Sequence, residues 1–190
     1  MKEGTIVQFV CFITDLDTAA FAPEWQGYIA TLKNSKTKTI LYEQASSNDT
    51  NYRYISKLEC PESDFQFSFI KERKSGRFSD SRVRNFQLGG YITTQQQEAY
   101  KPTNSDITII AFIHHNETDI SYYQQLSFFS SLNIHQAYYE NCMYGYVLEF
   151  VVAAKQANAL LEQLDKRHGV QVGMYKTSLR NKVRHAAHAV

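Results

Sequence analysis

Two stretches decide how this chain reads: IVQFVCFITDLDTAAFAPEWQGYIATL (residues 6–32) and ITIIAFIHHNETDISYYQQLSFFSSL (residues 107–132). Laid side by side without a gap, Val7 falls on Ile107, Phe12 on Phe112, Ile13 on Ile113, Thr18 on Thr118 and Leu32 on Leu132. Identity is sparse, but the order of element types matches. Each copy predicts an apolar strand, a turn with acidic residues and Thr, then a helix of about four turns. That helix carries Tyr28, Ile29 and Leu32 in the first copy, and Phe128, Phe129 and Leu132 in the second.

Working outward, the match continues with gaps. KTKTILYEQAS (36–46) corresponds to NIHQAYYENCM (133–143) as a second strand, and NYRYISKLE (51–59) to MYGYVLEFV (143–151) as a third. Both pairs are rich in Tyr and β-branched residues, which suit a pleated, half-buried surface. A second helix follows in AAKQANALLEQLDKRHG (153–169), with Leu160, Leu161 and Leu164 on one side and Gly169 as its cap. Its counterpart, CPESDFQFSFIKERKSG (60–76), carries conflicting signals. Phe65, Phe67 and Phe69 alternate like a strand, while Pro61 to Asp64 start a helix and Gly76 ends one. The repeat decides for helix over residues 61–75. A last strand closes each copy, VQVGMYKTS (170–178) in the second and GGYITTQQQ (89–97) in the first, after the polar insertion RFSDSRVRN (77–85).

Each half therefore reads strand, helix, strand, strand, helix, strand, the order of a ferredoxin-like βαββαβ unit. Residues 1–98 form the first unit, 99–106 a linker containing Pro102, 107–180 the second unit, and 181–190 a basic tail. Two antiparallel sheets with helices on one face only must cover their bare faces, and packing those faces together gives a closed α+β barrel. On this element order the chain resembles the dimeric α/β-barrel (ferredoxin-like) superfamily, with two protomers fused as a tandem repeat. That resemblance implies a pocket inside the barrel or between sheet and helices. It implies no single reaction, because the superfamily includes cofactor-free monooxygenases, isomerases and haem enzymes.

Composition removes several classes. Twenty Lys and Arg balance nineteen Asp and Glu, a net charge of +1, so no global field gathers nucleic acid or an anionic membrane. No segment reaches the roughly 20 apolar residues of a membrane span, and MKEGTIVQFVCFITD has no secretory cleavage pattern. Cys11, Cys60 and Cys142 form no C-x-x-C pair and are expected as free thiols in a reducing cytoplasm. The 13 Tyr and 12 Phe are the unusual feature, enough to fill a core or line a cavity for flat, apolar ligands.

The adjacent His114 and His115 end an apolar strand, and side chains alternate along a strand, so both cannot reach one site. We expect Ile107, Ile109, Ala111 and Ile113 to meet the helices, matched by Val7, Phe9, Cys11 and Ile13. The barrel then receives Thr108, Ile110, Phe112 and His114, matched by Gln8, Val10, Phe12 and Thr14. On the third strand Tyr144, Tyr146, Leu148 and Phe150 are expected toward the helices, leaving Glu149 facing the barrel with Lys57 at the matched position. A buried lone carboxylate needs a partner or a proton. Either it pairs with Lys57, or it lies in solvent at a strand edge, or it keeps a raised pKa and works as a base beside His114. Candidate catalytic residues are thus His114 and Glu149, and candidate ligand-binding residues are Thr14, Lys57, Phe112, Tyr138 and Tyr139. His185 and His188, three apart, form only a weak metal spacing.

The sequence points to a barrel that binds a small organic molecule, with or without cofactor-independent chemistry such as proton abstraction or oxygenation of an activated ring. No metal or cofactor is expected; haem held by His114 or His135 has no local motif behind it. No G-x-G-x-x-G, P-loop, G-x-S-x-G or H-E-x-x-H occurs. The alternative is an interaction protein with a solid barrel core, and exposed strand edges leave pairing with a second copy open. RNA binding is disfavoured by the neutral charge and the missing aromatic-glycine stretch.

Overall fold

A computed structural model describes residues 4–31, 37–45, 51–65, 78, 80–96, 106–116, 119–164 and 169–182. In chain order the elements are β1 (Thr5–Ile13), α1 (Thr18–Thr31), β2 (Lys38–Gln44), β3 (Tyr54–Pro61), the helical start α2 (62–65) and β4 (Arg84–Gln95). There follow β5 (Asp106–Ile113), α3 (Ile120–Gln124), β6 (Ser131–Ala137), β7 (Tyr146–Ala153), α4 (Ala157–Leu164) and β8 (Val170–Lys182). The strands close into one barrel in the order β1-β3-β2-β8-β5-β7-β6-β4. Read from β4, that ring is 4-1-3-2 followed by 8-5-7-6, so each half forms its own four-stranded antiparallel sheet. Pairs β2–β8 and β4–β6 join the halves within one chain. Closure removes the free edges that an open sheet would expose.

Most strands are buried on both faces, as expected of a sheet covered by helices outside and side chains within. β1 is buried from Ile6 to Phe12. Outside the second half, Ile107, Ile109, Ala111, Ile113, Leu148 and Phe150 pack against Tyr123 of α3 and Leu160 and Leu164 of α4. Outside the first half, Val10, Phe12, Leu41 and Leu58 pack against Phe21, Trp25, Tyr28 and Ile29 of α1. Trp25 fastens α1 to the sheet, its Nε1–H donating to Ser56 Oγ at 3.0 Å. The helix starts at Thr18, where Asp17 caps it: its carboxylate accepts from Ala20 N at 2.9 Å.

Inside the barrel, Val7, Phe9, Cys11, Tyr42, Ile55, Leu88, Tyr91, Ile110, Phe112, Val147 and Tyr175 form a second core. This corrects the facing expected for β1 and for Tyr144. Val7, Phe9 and Cys11 look into the barrel, while Val10 and Phe12 meet α1, so the gapless match of Val7 to Ile107 is one residue out of step with the true equivalence. A one-residue slip exchanges the two faces of a strand, and with Gln8 the one polar residue between Ile6 and Phe12 the alternation was too weak to set the facing. Tyr144 precedes β7 and turns inward onto Phe112.

Other boundaries also shift. The four-turn helix expected over Phe128, Phe129 and Leu132 is the five-residue α3; Leu132 lies in β6, and Phe128 takes a φ of 76° in the connecting segment. Residues 138–145 are irregular where strand had been expected, and β4 begins at Arg84 inside the expected insertion. The start at 62–65 is helical, but the remainder of the 61–75 helix falls outside the described residues, as do most of the expected linker, His185 and His188. β8 runs to Lys182, two residues into the segment expected as tail.

Candidate functional site

One bulge decides what faces the centre. β1 and β4 shift register between Phe9 and Val10, where Gly89 sits opposite Phe9 with a φ of 121°. Before the bulge Phe86 and Leu88 lie on the inner side; after it the inward set is Tyr91 and Thr93, so the extra residue reverses parity. A Cβ on Gly89 would come within 2.9 Å of the Cys142 Cα, so glycine satisfies both the positive φ and the close approach. Thr93 is thereby brought opposite His135 of β6.

At the middle of the barrel four polar side chains converge from four strands. Glu149 of β7 accepts from Lys57 Nζ at 2.5 Å and from Tyr42 Oη at 2.8 Å, and lies 2.6 Å from His135 Nε2. His135 Nδ1 meets Thr93 Oγ1 at 3.0 Å, and the edge of the ring packs on Phe9 with centroids 5.3 Å apart. Lys57 also reaches Glu59 at 3.4 Å. His135 and Glu149 are 1 % and 2 % exposed, whereas Thr93 is exposed and the Glu59 side chain is 31 % exposed. The side of the centre nearer solvent is thus the end of the barrel where Thr93, Glu59 and Asn133 stand. At the opposite end Phe112 packs against Tyr52 and Tyr144 as an aromatic plug.

Electrostatics fix the protonation of this centre. Burial alone would raise the Glu149 carboxyl, but the Lys57 charge and the hydrogen bonds from His135 and Lys57 outweigh it and hold the group well below the usual carboxylate range. Burial pulls Lys57 down, and Glu149 with Glu59 more than reverses that. For His135 burial wins over the attraction of Glu149, lowering its pKa below 6.5. At neutral pH Glu149 is thus a carboxylate, Lys57 an ammonium and His135 a neutral imidazole. An ionised Glu149 has no proton to give, so Nε2–H must donate to it, leaving the Nδ1 lone pair facing the Thr93 hydroxyl.

The structure brings together only part of the expected site. Lys57 and Glu149 meet, as the ion-pair reading had them. The alternative, a Glu149 with raised pKa beside His114, is overturned: its pKa is lowered, and its histidine partner is His135. His114 is exposed at the end of β5, about 13 Å of strand beyond Ile110, which stands opposite Glu149. It packs against Tyr144. Thr14 lies in the turn after β1 and accepts from Leu16 N at 3.2 Å, outside the barrel. Phe112 faces inward as expected. Tyr138 is exposed and donates to Glu62 at 3.0 Å, while Tyr139 stacks on Phe65 beside α2; neither lines the centre. Sequence reasoning missed Tyr42 and Thr93, and named His135 only as a haem-holding residue with no motif behind it. The signal available for His135 was its place two residues after Asn133 on a strand paired to Glu149, which needs the register to be seen.

Glu149 holds Nε2 of His135 and Thr93 meets Nδ1, while His114 stands at the exposed end of β5. No group of three or more His, Cys, Asp or Glu able to hold a metal occurs among the described residues.

No family model matches the sequence, and no curated protein is significantly similar to it. Solved structures are similar over nearly the full length. An anthrone oxidase-like protein superposes with a TM-score of 0.61 at 10 % identity, covering 100 % of this chain and 98 % of that one. A mutant chlorite dismutase from Candidatus Nitrospira defluvii gives 0.58 at 11 % identity, covering 94 % and 93 %. The same enzyme in complex with imidazole gives 0.57 at 11 % identity. This chain has the dimeric α/β-barrel fold. At such identities the likeness concerns the barrel itself, and the side chains of the centre must speak for their own chemistry. No helix among the described residues is long and apolar enough to cross a membrane.

Proposed function

We propose that the barrel binds a small organic molecule at its polar end and removes a proton from it without a cofactor, with His135 as the base. The observation that carries this reading is the Glu149–His135 pair. A neutral imidazole is held by a carboxylate at Nε2, with its Nδ1 lone pair toward the exposed Thr93. A base oriented by a carboxylate, with its pKa lowered below neutrality by burial, stays in the proton-accepting form across the physiological range. Glu149 acts here as a positioning residue that fixes the tautomer and stabilises the imidazolium as it forms. Lys57 keeps Glu149 ionised. Rotation of the Thr93 hydroxyl clears Nδ1 for a carbon acid whose electron pair delocalises into a neighbouring carbonyl. The anthrone oxidase-like neighbour is in keeping with an activated ring as the substrate, and dioxygen would then serve as the oxidant of the carbanion.

The test is hydrogen–deuterium exchange at the activated carbon of anthrone and related cyclic ketones, together with oxygen uptake. Wild type should exceed the buffer rate, His135→Ala should fall to it, and His114→Ala should match wild type. Glu149→Gln should lower the rate and move the acid limb of the pH profile, as expected when the base loses its orienting carboxylate. Wild-type rates equal to buffer, or a His135→Ala variant as fast as wild type, would refute the reading. An interaction protein with an inert core is then the better account, since the interior is densely aromatic and the Lys57–Glu149 pair satisfies itself.

A further inference from the structure

Hydrogen-bond acceptors in an excess of negative charge stand beside His135 at the end of the barrel where Thr93 is exposed. Asn133 is two residues before His135 on β6, so both side chains point into the barrel, about 7 Å apart along the strand. Its Oδ1 is buried with no hydrogen-bond partner among the described residues. A buried carbonyl oxygen without a donor is costly, and native proteins rarely leave one unless something else supplies the donor. Thr93, while donating to Nδ1, keeps its own lone pairs free to accept. Around these acceptors Glu149 and Glu59 carry two negative charges against the single positive charge of Lys57; Lys38, 3.9 Å from Glu59, is largely in solvent and screened.

We infer that Asn133 Oδ1 and Thr93 Oγ1 form a donor-reading subsite that selects neutral, hydroxyl-bearing ring molecules and rejects carboxylates and phosphates. The inference rests on the proposed role of His135 and names the substrate class for that site. A hydroxyl on one edge of a fused-ring molecule donates to Asn133 Oδ1. The width of one or two rings then spans the interval to Nδ1, where the acidic hydrogen lies. An anion brings no donor to the orphan carbonyl and meets two carboxylates, so it loses on both counts.

Three probes of nearly equal shape separate the possibilities: 1-naphthol, 1-methoxynaphthalene and 1-naphthoate, titrated against wild type and followed by ligand-observed NMR and the His135 ring signals. One hydrogen bond to a buried acceptor predicts about five- to tenfold tighter binding of the naphthol than of the ether, with the naphthoate weakest. Asn133→Leu should abolish the preference while leaving ether binding unchanged, which also reports that the variant is folded. Thr93→Val should reduce the preference without abolishing it. Ether or naphthoate binding as tightly as naphthol, or a preference that survives Asn133→Leu, would overturn the subsite while leaving a barrel pocket in place. Failure of all three probes to perturb the His135 signals would overturn the subsite and the proposed function together.

Discussion

Replacing Lys57 by Met keeps most of the stem volume and removes the charge that holds Glu149 ionised. The carboxylate is 2 % exposed and sits 2.5 Å from the ammonium nitrogen, so the substitution strands a buried charge. Breaking a buried pair from one side costs about 3–5 kcal/mol, and for a chain of this length each kcal/mol moves Tm by about 2–4 °C, giving a fall of about 6–20 °C. The loss depends on pH, because His135 can take a proton in place of Lys57. In wild type the folded pKa of His135 is lowered. The unfolded chain therefore binds this proton more readily, and wild type loses stability as pH falls below about 6.5. In the variant Glu149 faces no ammonium, His135 is raised above its unfolded value, and the stability it supplies is present below about pH 6.5 and lost as pH rises through the folded pKa. The gap between the two proteins should narrow by about 1.4 kcal/mol or more between pH 8 and pH 5.5, one full unit below the unfolded pKa. Urea unfolding at the two pH values measures it. A gap that stays constant or widens toward acid, or a variant within about 1 kcal/mol of wild type at pH 8, would refute the reasoning.

Further perturbations follow from the same geometry. Gly89→Ala forces a Cβ against the Cys142 backbone at positive φ; it should cost about 1–3 kcal/mol and, by disturbing the bulge that sets Thr93 opposite His135, change the His135 ring signals. Trp25→Phe leaves Ser56 Oγ without its donor under α1 and should lower stability by about 1–3 kcal/mol in chemical denaturation; an unchanged midpoint would mean the bond contributes nothing. His114→Ala, at an exposed strand end, should stay within about 0.5 kcal/mol of wild type and bind the naphthol probe equally well. Proton abstraction should hold down to the ordinary imidazole midpoint of about 6.5, because burial lowers the His135 pKa and keeps the base free there; an activity falling away with a midpoint above 6.5 would contradict a buried neutral imidazole.

The element order was legible because each half repeats one alternation of strands and helices, and the topology 4-1-3-2 followed by 8-5-7-6 is its direct consequence. The ion pair was legible too: Glu149 and Lys57 are charges set into apolar strands, and such charges need partners. What could not be read was register. β1 is apolar on both faces but for Gln8, a buried polar side chain on the same face as Val10 and Phe12, and assigning that face to the barrel sent Thr14 to the site. The histidine that matters sits in a strand with ordinary alternation, and only the pairing of β6 with β7, and the bulge at Gly89, bring His135 between Glu149 and Thr93. His114 drew attention because it ended an apolar run, yet a strand end is where a side chain most readily meets water.

The central claim is that His135 is a neutral imidazole with its hydrogen on Nε2, bound to Glu149, and a lone pair on Nδ1. Two-bond nitrogen–carbon correlation NMR of the histidine rings at pH 7, assigned with His135→Gln, reads that state directly. The account predicts a protonated Nε2 and a pyridine-like Nδ1, with a ring titration midpoint below the ordinary value of about 6.5. An imidazolium at pH 7, or the hydrogen on Nδ1, would contradict it, for neither form leaves a base facing the mouth of the barrel.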